Sequence, residues 1–237
     1  MIIAARLAAI RERLAAAALR AGRDPGTVAL VAVSKLQTAS AIEEAYAAGQ
    51  RLFGENRVQE AEEKKRLLGS LLQGEDPLRL ELIGALQSNK VRKAVATVSR
   101  IHSIDSVELG VRVSRTAKEG GLTMPVLIQV DLAGEAAKSG VPERDLHSVL
   151  QTLQAADGIS VDGLMAIPPY FEDPDDVRPY FARLRVLRDQ AVERRLIARG
   201  ELSMGMSHDF EAAIEEGATI VRVGTAIFGE RPAKPKT

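Results

Sequence analysis

The first apolar run of this chain, Val28–Ser34, is followed immediately by a lysine, and its setting decides what chemistry that amine can do. The two-residue period of a strand puts Lys35 on the face shared by Val33, Val31 and Ala29. A lysine amine so placed can form a Schiff base with a carbonyl. At its ordinary pKa of about 10.4, roughly one molecule in 2,500 is neutral at pH 7, so partial burial and a neighbouring cation are needed to activate it. Arg222 supplies the cation. In Thr219–Gly224 it shares a face with Ile220 and Gly224. A buried guanidinium needs an acceptor, either a protein carboxylate or a ligand ring nitrogen or phosphate. Gly224 permits close backbone approach, while Ser203, Ser207 and Thr225 offer hydroxyls. Ser207 and Thr225 could equally serve as helix caps. Taken together, Lys35, Arg222 and the Gly224-Thr225 turn fit a phosphorylated aldehyde held as an imine.

Bringing residues 35 and 222 together requires a particular arrangement of elements. Short β-branched runs occur at Val28–Ser34, Arg51–Phe53, Leu80–Ile83, Arg100–Ile104, Val126–Val130, Val161–Ala166, Glu201–Met204 and Thr219–Val223. Helical spacing fills the intervals at Ala39–Gly49, Glu55–Leu72, Ser106–Glu119, Pro142–Ala155, Asp175–Arg199 and His208–Glu216. This alternation predicts an α/β fold, a single closed (β/α)8 TIM barrel spanning residues 1–230, with an extra N-terminal helix and a flexible tail over 231–237. An open doubly wound sheet would normally show a glycine fingerprint after strand 1, and Ser34–Thr38 is not one. Closure makes strands 1 and 8 neighbours, with function gathered at the strands' C-terminal ends.

Composition narrows the field. Of 237 residues, 46% are hydrophobic, and Lys+Arg equals Asp+Glu at 32 each, which disfavours a polyanion-gripping role. The absence of cysteine excludes disulfides, thiolate metal sites and cysteine nucleophiles. His102, His147 and His208 are far apart in sequence, so no metal site is expected. The Arg-rich N-terminus has the character of a transit peptide. Ile3, Leu7, Ile10 and Leu14 on one face, closed by Gly22 and Pro25, favour a first helix instead. Glu55, Asp105 and Glu135 are read as helix-start carboxylates in preference to acid–base groups, and the charge run Glu60–Arg66 as a solvated helix face. A cytoplasmic protein without nucleic-acid or membrane partners is expected.

The blocks AVSK (32–35), FGENRVQE (53–60), IGALQSNK (83–90), IHSID (101–105), GLMAIPP (163–169), LSMGMSHD (202–209) and VRVGTAIFG (221–229) resemble those of the YggS/PROSC pyridoxal phosphate homeostasis proteins. The resemblance runs in order along nearly the whole chain. It implies a barrel similar to the N-terminal domain of alanine racemase and pyridoxal 5'-phosphate joined to Lys35 as a Schiff base. It further implies Arg222 facing the pyridine nitrogen, Ser203, Gly224 and Thr225 holding the phosphate, and Asn56 near the phenolic oxygen. Such a protein would be a monomer that buffers the cofactor and delivers it to apo-enzymes, with no catalytic residue or turnover. A racemase-like enzyme and a Schiff-base aldolase acting on a sugar phosphate are the alternatives. Glu81, Gln37 and Asp131 depart from the family pattern of His, Lys and Asn.

Overall fold

The structure, a computed structural model, describes residues 2–134 and 139–229. Eight strands form the barrel: β1 (Ala29–Val33), β2 (Leu52–Glu55), β3 (Arg79–Leu82), β4 (Arg100–Ile104), β5 (Met124–Asp131), β6 (Ile159–Met165), β7 (Glu201–Ser203) and β8 (Ile220–Val223). Each pairs in parallel with the next, and β8 closes on β1 with Val31 opposite Arg222. A two-residue strand, Val141–Pro142, adds to the outer end of β5. Closure leaves no sheet edge among the eight barrel strands, so each ladder is satisfied on both sides.

Nine helices are described: α1 (Ile2–Arg20), α2 (Ala39–Ala47), α3 (Val58–Leu67), α4 (Val91–Thr97), α5 (Val107–Glu119), α6 (Leu146–Gln154), α7 (Arg178–Glu193), α8 (Phe210–Glu215) and α9 (Thr225–Phe228). The long helical stretches of the sequence shorten at their ends. That beginning at Glu55 starts at Val58, because Glu55 is still in β2, and its end becomes a separate 3-10 turn at Gly69–Leu72. The sequence reading has no counterpart to α4. Its seven residues are too few for a strong periodic signal, although Val91, Ala94 and Val95 do form its buried face.

α1 is the added N-terminal helix. It buries Ile3, Leu7, Ile10 and Leu14 with Ala17 and Ala18, and packs against α2, α8 and α9. Gly22 ends it at φ +67, and the Arg23 N–H reaches back to the Ala18 carbonyl. No helix of the described residues is long and apolar enough to cross a membrane. The tail 231–237 and Glu135 lie outside the described residues.

Two hydrophobic compartments result. The larger lies between sheet and helices. The smaller, Val31, Leu127, Met165 and Ile220 with Ala29 and Leu52, fills the barrel interior. Leu7 is fully buried, so Leu7→Ala is expected to lower unfolding free energy by about 3 kcal/mol in urea titrations, through lost burial and the cavity left behind.

Candidate functional site

At the C-terminal mouth, above β1, β7 and β8, a cleft of about 210 Å³ is lined by Lys35, Gln37, Ser207, Arg222, Gly224 and Thr225, among others. Residues nearly two hundred positions apart in sequence thus share one wall. β1 and β8 bring them together: Ala32 pairs with Val223, and Gly224 lies so close to Val33 that a Cβ there would come 3.2 Å from that side chain.

Lys35 is held on either side by fixed backbone. The Ser34 hydroxyl donates to Glu55 Oε1 at 2.5 Å, the Ser34 N–H donates to the Gly54 carbonyl at 3.0 Å, and Lys64 donates to the Ser34 carbonyl. On the other side, Leu36 adopts the left-handed conformation at φ +61, with its N–H donated to Glu60 Oε2 at 3.0 Å. That conformation is costly for a side chain as bulky as leucine and marks a constrained turn.

Arg222 forms the floor of the cleft. It is 3% exposed. Its Nη1 donates to Ser203 Oγ at 2.6 Å and its Nη2 to the Ala166 carbonyl at 3.0 Å. Among the described residues no carboxylate lies within ion-pair distance of it, so its acceptors are neutral. Burial lowers its pKa to about 10, with Asp209 acting in the opposite sense. It remains a cation at neutral pH.

The cup above it is built from two loops. Ser207 Oγ accepts the Gly224 N–H at 3.2 Å and lies 3.3 Å from Thr225 Oγ1. The Ser207 hydroxyl therefore ties loop to loop. Thr225 begins α9, so its own amide and that of Ala226 are first-turn N–H groups with no intrahelical acceptor.

Ser203 stands elsewhere than the phosphate position expected for it. It is fully buried, with its hydroxyl between Arg222 and His102. As the last residue of β7 it points into the barrel, one layer beneath the loop, and the cup hydroxyl is that of Ser207. Asn56 lies across the mouth. It borders a second depression of about 290 Å³ together with Gly84, Asp131 and Ala166. Since Ala166 also accepts from Arg222, the guanidinium stands where the two depressions meet. Gly84 fixes Asn56, because a Cβ at 84 would come 2.3 Å from the Asn56 carbonyl oxygen. Gln37 lines the cleft, and the Asp131 carboxylate accepts the N–H groups of Ala133 and Gly134. No cluster of metal-ligating side chains occurs among the described residues.

The model of the alanine racemase N-terminal domain family matches residues 5–232. The pyridoxal phosphate homeostasis protein of Aquifex aeolicus is 44% identical over 226 residues, covering 95% of this chain and 97% of that one. The protein of the same name from Escherichia coli K12 is 40% identical over 235 residues, 99% of each chain. The chain belongs to the pyridoxal phosphate homeostasis family, within the alanine racemase N-terminal domain fold. PipY of Synechococcus elongatus, solved with pyridoxal phosphate bound, superposes with a TM-score of 0.83 at 42% identity over 96% of this chain and 100% of that one. Alanine racemase from Corynebacterium glutamicum, at 20% identity and a TM-score of 0.68, shares the fold over 63% of its length.

A buried ion pair holds the loop that carries Lys35. Lys64 sits within the run Glu60–Arg66, which the sequence reading treats as solvated. Instead Lys64 turns inward from α3, only 7% exposed at its side chain, and pairs with the fully buried Glu55. Glu55 is therefore neither a helix-start carboxylate nor a cleft group. Its outward parity in β2, shared with Phe53, puts it under α3. Asp105 does precede a helix, directly before the Ser106 cap of α5. Burial raises the Glu55 pKa despite the Lys64 charge and the Lys64 and Ser34 hydrogen bonds. Removing Lys64 leaves a buried carboxylate uncompensated, and because the folded pKa is raised, that penalty applies above it and fades as the pH falls through it. Lys64→Met is thus expected to cost about 3 kcal/mol at pH 8 and progressively less as the pH is lowered toward the ordinary glutamate range in urea unfolding, with Glu55→Gln added to Lys64→Met restoring most of the loss.

Proposed function

We propose that this protein holds pyridoxal 5'-phosphate in the cleft over β1, β7 and β8 and supplies it to apo-enzymes, without turnover of its own. The reading extends to a monomer acting in the cytoplasm, with residues 1–230 as one binding domain. The observation that carries it is the convergence of an amine, a buried guanidinium without a carboxylate partner among the described residues, and a hydroxyl-and-amide cup at one barrel mouth. The residues fit the cofactor's four polar groups. Lys35 Nζ takes the aldehyde carbon as a Schiff base with loss of water. Gly224, Thr225 and the free first-turn amides of α9, with Ser207, receive the phosphate. Arg222 faces the ring nitrogen, and Asn56 approaches the phenolic oxygen from the opposite lip.

When bound, the cofactor supplies an electrophilic imine and a ring that can accept electrons. Arg222 restrains that second capacity. A cation at the ring nitrogen disfavours its protonation and so weakens the ring as an electron sink. Storage suits such a site better than carbanion chemistry. Ser203 contributes through Arg222, since its hydroxyl is buried beneath the guanidinium. The curated relatives named for pyridoxal phosphate homeostasis and the cofactor-bound PipY support the same reading.

Incubating the purified chain with pyridoxal phosphate is expected to turn it yellow, and borohydride to fix the cofactor on Lys35. Lys35→Ala should abolish covalent capture. Ser207→Ala and Thr225→Ala should each weaken binding about tenfold, the usual effect of losing one hydrogen bond to a charged group. L-Alanine should keep its optical rotation in the presence of the loaded protein. Protein that stays colourless would overturn the reading, and steady racemisation would replace storage with catalysis.

A further inference from the structure

Below the cleft, four side chains from four strands form one hydrogen-bonded line across the barrel. Glu81 Oε2 of β3 lies 2.9 Å from His102 Nε2 of β4. His102 Nδ1 lies 2.9 Å from Ser203 Oγ of β7, which accepts from Arg222 Nη1 of β8 at 2.6 Å. All four are at most 4% exposed.

The direction of every hydrogen in this line follows by elimination. A guanidinium only donates, so Ser203 Oγ must accept from it. The Ser203 hydrogen then has His102 Nδ1 as its acceptor, which leaves the imidazole proton on Nε2, donated to Glu81. One protonation state satisfies all members: an ionised Glu81, a neutral His102 and a cationic Arg222. The local fields agree. Burial would raise the Glu81 pKa, but the hydrogen bond from His102 and the charges of Arg100 and Arg79 hold it below its ordinary value. Burial lowers the His102 pKa, with Arg222 and Arg100 reinforcing this against Glu81.

The order Glu–His–Ser matches the roles of a hydrolytic triad, but no substrate can reach Ser203 Oγ, which is fully buried and already receives the Arg222 proton. We propose that Glu81, His102 and Ser203 are a positioning relay that aims the Arg222 guanidinium at the ring of the ligand in the cleft. Glu81 fixes the His102 tautomer, that tautomer makes Ser203 an acceptor toward Arg222, and Ser203 with the Ala166 carbonyl fixes the guanidinium plane. The remaining guanidinium N–H groups are left for the ligand. The inference rests on the reading of the cleft as a pyridoxal phosphate site.

A double-mutant cycle on the full chain tests it, with pyridoxal phosphate affinity as the readout. Ser203→Ala is expected to weaken binding about tenfold with Arg222 present and less than about twofold in an Arg222→Gln background. Glu81→Gln, which can still accept from Nε2–H but no longer imposes the tautomer, should give a smaller loss than Ser203→Ala. In ¹⁵N spectra of the apo chain, His102 should remain neutral with its proton on Nε2 between about pH 6 and 8. Equal losses in both backgrounds, no loss from Ser203→Ala, or a His102 proton on Nδ1 would each overturn the relay while the unaltered chain still binds the cofactor. Failure of the unaltered chain to bind would overturn the reading of the cleft itself.

Discussion

A guanidinium inside a closed barrel has to be solvated by the protein, and Arg222 is solvated by neutral groups. Leaving a buried cation without an ionic partner costs several kcal/mol, so the surrounding strands must present acceptors with little freedom to move. β7 presents a serine hydroxyl and β6 a main-chain carbonyl at its end. The serine is usable because His102 takes its hydrogen, and His102 is usable because Glu81 takes the next. The interior of β3, β4, β7 and β8 is arranged around this one charge. At the N-terminal ends of the strands a second polar group, Arg100 with Asp162 and Glu201, continues the polar interior downward. Between them Val31, Leu127, Met165 and Ile220 keep the barrel packed.

The outer face of the sheet solves a matching problem for the amine. Lys35 follows a strand end, where backbone is ordinarily loose. Ser34 is tied to Glu55, Glu55 to Lys64, and Leu36 to Glu60, so α3 clamps the loop from outside while the barrel supports it from inside. One buried Glu–Lys pair and one buried Arg thus act on opposite sides of β1 to place an amine and a guanidinium at the same cleft. Period-two alternation makes this possible: Ser34 and Lys35 face opposite ways, one into the helix layer and one toward the mouth.

The barrel was legible in the residues because strand and helix periods alternate along the chain. Every barrel strand lies within two residues of its expected bounds. The weak points were lengths and faces. Helix ends shifted where a residue such as Glu55 still belonged to a strand, and α4 was too short to register. The run Glu60–Arg66 reads as solvated by composition, yet Lys64 within it is buried, since charge patterning does not reveal which member of a run faces a buried carboxylate. Ser203 shows the same limit. Its residue type suits a phosphate, and only its depth in β7 assigns it to Arg222 instead.

By itself the sequence determined the strand and helix alternation, the lysine that ends the first strand, the cationic Arg222 and the Gly224-Thr225 turn, because each is encoded locally as a period, a residue type or a loop composition. Tertiary structure alone decided the partners: Glu81 with His102, His102 with Ser203, Lys64 with Glu55, and Ser207 with Gly224. These contacts join residues 9 to 101 positions apart. Their geometry depends on barrel closure and strand register, which no local pattern of residues carries.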